Sequence, residues 1–141
     1  MSGFWRGWFV AWCVAIGLFG ALLSGGGFEA TSAPVGFVLS SLHGPASAQF
    51  DPTLRFSLAV MGAVSIGWAV TLFFIVRAAV ALGDKGRPLW NAITAGMISW
   101  FVIDSLLSVA TGFGLNLAPN TALLAMYLVG LLGSGALRRP A

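Results

Sequence analysis

Apolar residues in this chain run together in four long segments nearly free of charge: Phe4 to Leu23, Phe56 to Leu82, Leu89 to Phe113 and Thr121 to Leu137. Each is near or above the ~20 residues that a helix rising about 1.5 Å per residue needs to cross ~30 Å of hydrocarbon. A membrane β-barrel would need short strands of alternating polarity, and a run such as Leu72-Phe73-Phe74-Ile75-Val76 does not alternate. The pattern predicts an all-α protein, an integral membrane four-helix bundle forming one transmembrane domain over 1–141, with an outer connection over 24–53.

Local chemistry marks the ends of these segments. Asp51 before Pro52 is an N-cap followed by proline at the first helical position, so the second helix is expected to begin there, with Arg55 one turn inside. Gly83 supplies a stop, and Pro88 opens the third helix after Gly83-Asp84-Lys85-Gly86-Arg87. A turn that short makes helices two and three antiparallel neighbours. Asn120, after Pro119, reads as the cap of the fourth span, which ends at Arg138-Arg139-Pro140.

Composition agrees with lipid as the main solvent. Hydrophobic residues make up 58% and charged residues 8%, with a mean hydropathy of +0.94, against roughly a quarter charged in soluble domains. Seven Lys or Arg and four Asp or Glu cannot cover a soluble particle of this size. A net charge of +3 would suggest nucleic acid in a soluble protein, but the cations are few and scattered, so no nucleic-acid partner is expected. They read instead as topology signals. Arg6, Arg77, Lys85, Arg87, Arg138 and Arg139 collect on one side and only Arg55 on the other, which places both termini in the cytoplasm. Arg77 joins this count by snorkelling from the end of helix two.

A competing reading takes the first segment as a secretory signal, with Ala46-Ser47-Ala48 as the cleavage site. The apolar run stops at Leu23, too far upstream for that. Within the outer connection, Ser24-Gly25-Gly26-Gly27 breaks the first helix, and Val35 to Leu42 is apolar but too short to span. It is expected either as an interfacial helix or as a loop packed over the helix ends. No internal repeat supports an inverted-repeat transporter.

Candidate chemistry is sparse. Cys13 is the only cysteine and His43 the only histidine, so no intrachain disulfide, CxxC pair or bis-histidine haem site can form. His43 with a distant methionine such as Met61 is a haem pairing the residue types permit, and His43 is expected in a solvated loop beside Gly44-Pro45. Ser40 and Ser41 lack the orienting group and oxyanion site of a hydrolase. No catalytic or metal-ligating set is identified, and the cofactor stays unknown.

Asp104 stands out. A carboxylate inside a span costs about 2.5 to 3.5 kcal/mol on insertion scales, so it should face the bundle interior or a wet cavity. Helical spacing puts Trp100 and Ser108 on its face, with Ser108 in hydrogen-bonding reach. Arg55, entering helix two from the same side, is a candidate partner across the hairpin, although Asp51 offers Arg55 a local alternative. Asp104 is therefore either a packing element or the centre of ligand, proton or ion handling, with Arg55, Trp100, Ser108 and Trp68 as associates. Trp68 and Trp100 lie deep enough to pack in the core or to line a pocket. Trp5, Trp8 and Trp90 fall at cytoplasmic boundaries, as an aromatic belt would. Small residues four apart allow close helix packing: Cys13, Gly17 and Ala21; Ala59, Ala63 and Gly67; Ala92 and Gly96; Gly130 and Ser134.

The four-span topology, the Asp51-Pro52 start with Arg55-Phe56 and Gly62, and the Trp100 to Asp104 stretch together resemble the small four-helix bacterial inner-membrane proteins of the DoxX-like superfamily. The resemblance covers most of the chain. It implies a multi-pass inner-membrane location and a partner complex, and brings no catalytic motif. Two functional classes follow. One is a non-enzymatic component that binds a small molecule or partner, or passes a proton or solute, through the bundle interior. The other is a subunit of a membrane-bound redox enzyme complex. Expected partners are the lipid bilayer and either a second copy of the chain or another membrane protein.

Overall fold

The computed structural model describes residues 1–43 and 49–137. Ala46-Ser47-Ala48 of the signal-peptide reading, and Arg138, Arg139 and Pro140 of the topology count, lie outside these residues. The helices are α1 (Gly3–Gly25), α2 (Ala33–His43), α3 (Pro52–Leu82), α4 (Arg87–Ala110) and α5 (Leu117–Gly133). Short 3₁₀ turns occupy Glu29–Thr31, Gly83–Gly86 and Gly114–Asn116, and no strand occurs among the described residues. Three continuous helical stretches are long and apolar enough to cross a membrane: Gly3–Gly25, Pro52–Ala110 and Gly114–Gly133. The second contains the Gly83–Gly86 turn, so the body has four long helical legs and the short α2.

The helix ends follow from local chemistry. The Asp51 carboxylate accepts the Leu54 N–H at 2.7 Å, and Pro52 occupies the first turn of α3. At the end of α3, Gly83 takes φ 55°, a backbone region closed to most side chains. The fourth span differs from the sequence expectation: α5 begins at Leu117, not after Asn120, because Pro119 fits the first turn, where no intrahelical partner is needed for its missing N–H. Asn120 is thus inside the helix and is not its cap.

Two small-residue contacts hold the helices together. α1 and α3 cross at Gly20 and Gly62, where a Cβ on Gly20 would stand 2.9 Å from the Gly62 carbonyl oxygen and 2.9 Å from the Ile66 nitrogen. On α5, Gly130 receives Trp8, whose Cδ1 would be 2.8 Å from an added Cβ, and Gly133 receives Trp5. The stripe expected from Gly67 and Gly96 is not used, since a Cβ at either would meet nothing within 4 Å. Four-residue spacing recurs all round a Gly- and Ala-rich helix, so it marks several faces of which only one is in contact.

The interior of the bundle, in the half nearer the Gly83–Gly86 turn, is a dense aromatic plug. Phe9, Trp12, Met97 and Tyr127 are fully buried and Trp90 is 1% exposed. Trp90 therefore belongs to the core, its ring tilted against Phe9 with centroids 4.9 Å apart, and not to an interfacial belt. Trp12 lies 5.2 Å from Tyr127. Two indoles tie α1 to α5, Trp8 donating to the Met126 carbonyl at 2.8 Å and Trp12 to the Leu123 carbonyl at 3.1 Å. The Tyr127 hydroxyl meets Thr94 Oγ1 at 2.6 Å and also donates to the Trp90 carbonyl at 3.3 Å. Tyr127→Phe is expected to lower stability by about 1 kcal/mol, the usual net worth of a buried hydrogen bond; equilibrium unfolding in mixed micelles measures it.

At the far end from the Gly83–Gly86 turn, α2 packs through Val35, which is fully buried against Leu23 and Leu58. Phe37 and Phe28 point away, 74% and 71% exposed. The short apolar stretch of the outer connection is a helix, anchored on the bundle by one face.

Candidate functional site

Asp104 sits six residues before the end of α4, at the corner where the chain turns into α5. Its neighbours come from that corner. Asn116 ends the Gly114–Asn116 turn, and Asn120 lies one helical turn later on the same face of α5. Both carboxamides donate to the same carboxylate oxygen: Asn116 Nδ2 reaches Asp104 Oδ2 at 3.1 Å, and Asn120 Nδ2 makes a short bond to it. Asn116 Nδ2 also reaches Ser108 Oγ at 3.0 Å, and Asn120 Nδ2 lies 3.5 Å from Ser105 Oγ.

The result is a compact polar corner in an otherwise apolar body. Asn120 and Ser108 are buried, while Asp104, Ser105 and Asn116 are half-buried. One carboxyl oxygen accepting from two amide N–H groups ties α5 and the preceding turn to α4. Both recorded donors act on Oδ2, so Oδ1 is the oxygen that stays open among the described residues. The corner is covered on one side by the end of α2, where the His43 ring lies 4.7 Å from the Phe113 ring. His43 is thus the last residue of a helix and not part of a loop, while its side chain is exposed as expected; Gly44-Pro45 lie outside the described residues.

The other sequence candidates divide. Ser108 joins Asp104 as anticipated, but through the Asn116 amide and not by a direct bond. Trp100, one turn before Asp104, packs at a tilt against Trp68 of α3 with centroids 5.7 Å apart. Trp68 also lines a shallow cleft of about 150 Å³ between α3 and α4. Arg55 goes elsewhere: it donates to the Gly26 carbonyl at 3.4 Å and covers the Phe50 ring at 5.2 Å. Its face of α3 is turned to the end of α1, whereas Asp104 is turned to α5. The Asp51 carboxylate, the local alternative for Arg55, is engaged in capping α3. Met61 is 53% exposed on α3.

Asn116 was not legible as a site residue from composition or hydropathy. The signal was its spacing of four from Asn120, which aims two amides at one target. Among the described residues, no three His, Cys, Asp or Glu side chains gather as metal ligands would. Comparison of the chain with family models, with curated proteins and with solved structures finds no match.

Proposed function

We propose that this protein is a non-enzymatic, four-span membrane component that binds a small molecule or a membrane partner at the Asp104 corner. The observation that carries the reading is the carboxylate itself. Asn116 and Asn120 fix one oxygen and leave Oδ1 free to accept from a hydroxyl, amide or ammonium of a bound group. Around the corner α4 is lined with exposed Val102, Ile103, Leu106 and Leu107, a surface suited to lipid or to another apolar helix. The aromatic plug of Phe9, Trp12, Trp90 and Tyr127 closes the interior of the bundle, which favours binding at one end over passage through it.

Charge supports the orientation. The end holding Arg6, Arg77, Lys85 and Arg87 carries one acid, Asp84, whereas the opposite end holds Glu29, Asp51 and Asp104 with Arg55 alone. Basic residues mark the cytoplasmic side, so the Gly83–Gly86 turn and the ends of the chain are cytoplasmic and Asp104 lies toward the outer face. Placement in a bacterial inner membrane rests on the resemblance to DoxX-like proteins.

The test is extraction into native nanodiscs followed by mass spectrometry of everything retained. Wild type is expected to hold a donor-bearing molecule or a second membrane protein. Asp104→Asn is expected to lower its occupancy roughly tenfold, the scale of one hydrogen bond to a charged group, with an unchanged yield of folded protein. A bare wild-type chain, or equal occupancy in the variant, would overturn the reading.

A further inference from the structure

Near the basic end of the molecule, α1 and α3 part to leave a half-open groove of about 380 Å³, a volume within the usual range of small-molecule sites. Its walls are apolar, formed by Phe9, Val10, Cys13, Phe73 and Val76, and two guanidinium groups, Arg6 and Arg77, complete the lining. None of the nine lining residues is acidic. Arg6 is one turn from the start of α1, and Cys13 lies seven residues farther along, about 10 Å deeper at the helical rise. The groove thus grades from cationic near the helix end to oily below it. Arg77 covers the Phe73 ring at 5.6 Å, which packs its stem on the wall and leaves its N–H edges available. Arg87 at the same end is already engaged, donating to the Leu137 carbonyl at 3.0 Å.

We infer that this groove is a binding site for one anionic phospholipid, its phosphate between Arg6 and Arg77 and an acyl chain laid along the accessible Val10, Phe73 and Val80. Charge complementarity selects the occupant. A zwitterionic lipid also brings a phosphate, but its own ammonium offsets the negative charge that two guanidinium groups can match, and an apolar partner helix would bring no counter-charge at all. The inference rests on the membrane placement proposed above and is independent of the Asp104 corner.

The experiment reconstitutes the full chain into nanodiscs of phosphatidylcholine with a minor fraction of phosphatidylglycerol and counts retained lipids by native mass spectrometry. Wild type is expected to retain one phosphatidylglycerol in preference to phosphatidylcholine. Arg6→Gln and Arg77→Gln should each lower that preference roughly fivefold, and together roughly thirtyfold, the effect expected of arginines near an anionic headgroup. Lys85→Gln, at the same end outside the groove, should leave it unchanged. Val10→Trp keeps every charge and fills the groove, and should reduce retention of both lipids. Absence of a headgroup preference in wild type, an equal loss in Lys85→Gln, or full retention in Val10→Trp would overturn the site. Flotation with vesicles separates the two readings. A chain that does not float fails the membrane placement, and a chain that floats without preference fails the groove alone.

Discussion

Gly62→Val is expected to separate α1 from α3 and to abolish the folded, detergent-stable protein. At this crossing an added Cβ on Gly62 runs into the backbone of Ser24 and the carbonyl of Gly20, and neither can rotate away as a side-chain tip could. Overpacking of ordinary side chains costs about 1 to 3 kcal/mol, and a clash with backbone lies at or beyond the upper end. Net stabilities of whole proteins are about 5 to 15 kcal/mol, so one such change consumes a large share. Gly67→Ala and Gly96→Ala are the matched controls. Both positions are helical and open, so alanine should be neutral or stabilising by up to about 1 kcal/mol through higher helix propensity. Size-exclusion profiles and unfolding midpoints in mixed micelles distinguish the cases. If Gly62→Val behaves like Gly67→Ala, the α1–α3 crossing is wrong.

Asp104→Leu should be the second most damaging change, and its contrast with Asp104→Asn is informative. Leucine removes the shared acceptor of Asn116 and Asn120, and the buried Asn120 amide then has only the distant Ser105 hydroxyl at 3.5 Å. An unsatisfied buried donor costs about 1 to 3 kcal/mol, and this falls on Asn120, since Asn116 keeps Ser108 Oγ at 3.0 Å. Asparagine retains a carbonyl oxygen in place of Oδ2, so the fold should lose less than about 1 kcal/mol while the charge disappears. Unfolding curves of the two variants, measured beside Asn120→Leu, separate the structural duty of this side chain from its duty toward a ligand. Equal stability of Asp104→Leu and wild type would mean that the corner does not hold α4 to α5.

The helical legs were legible in the sequence because each is a long apolar interval with at most one charge, and their ends because Asp51-Pro52, Gly83 and Pro88 act within one turn of themselves. Asp104 was legible for the same reason, as a lone carboxylate where none is cheap. Its partners were not. Asn120 after Pro119 has the local signature of a cap, and only the actual start of α5 at Leu117 turns its amide toward α4. Arg55 was a sound candidate by depth, but depth does not say which face of a helix a side chain occupies, and Arg55 faces Gly26. Likewise Gly20 and Gly62 are two among 19 glycines, and one-dimensional spacing cannot rank them.

The indole bonds from Trp8 and Trp12 to α5 join residues 118 and 111 positions apart. During synthesis α1 therefore emerges long before the carbonyls it will meet. In the proposed bilayer setting, its two N–H donors spend that interval without their final acceptors, at a cost that falls most on the deeper Trp12 until α5 arrives. Biogenesis thus has a built-in late closing step, and a ribosome stalled before Leu117 would leave a nascent intermediate that a quality-control protease can tell from the finished molecule.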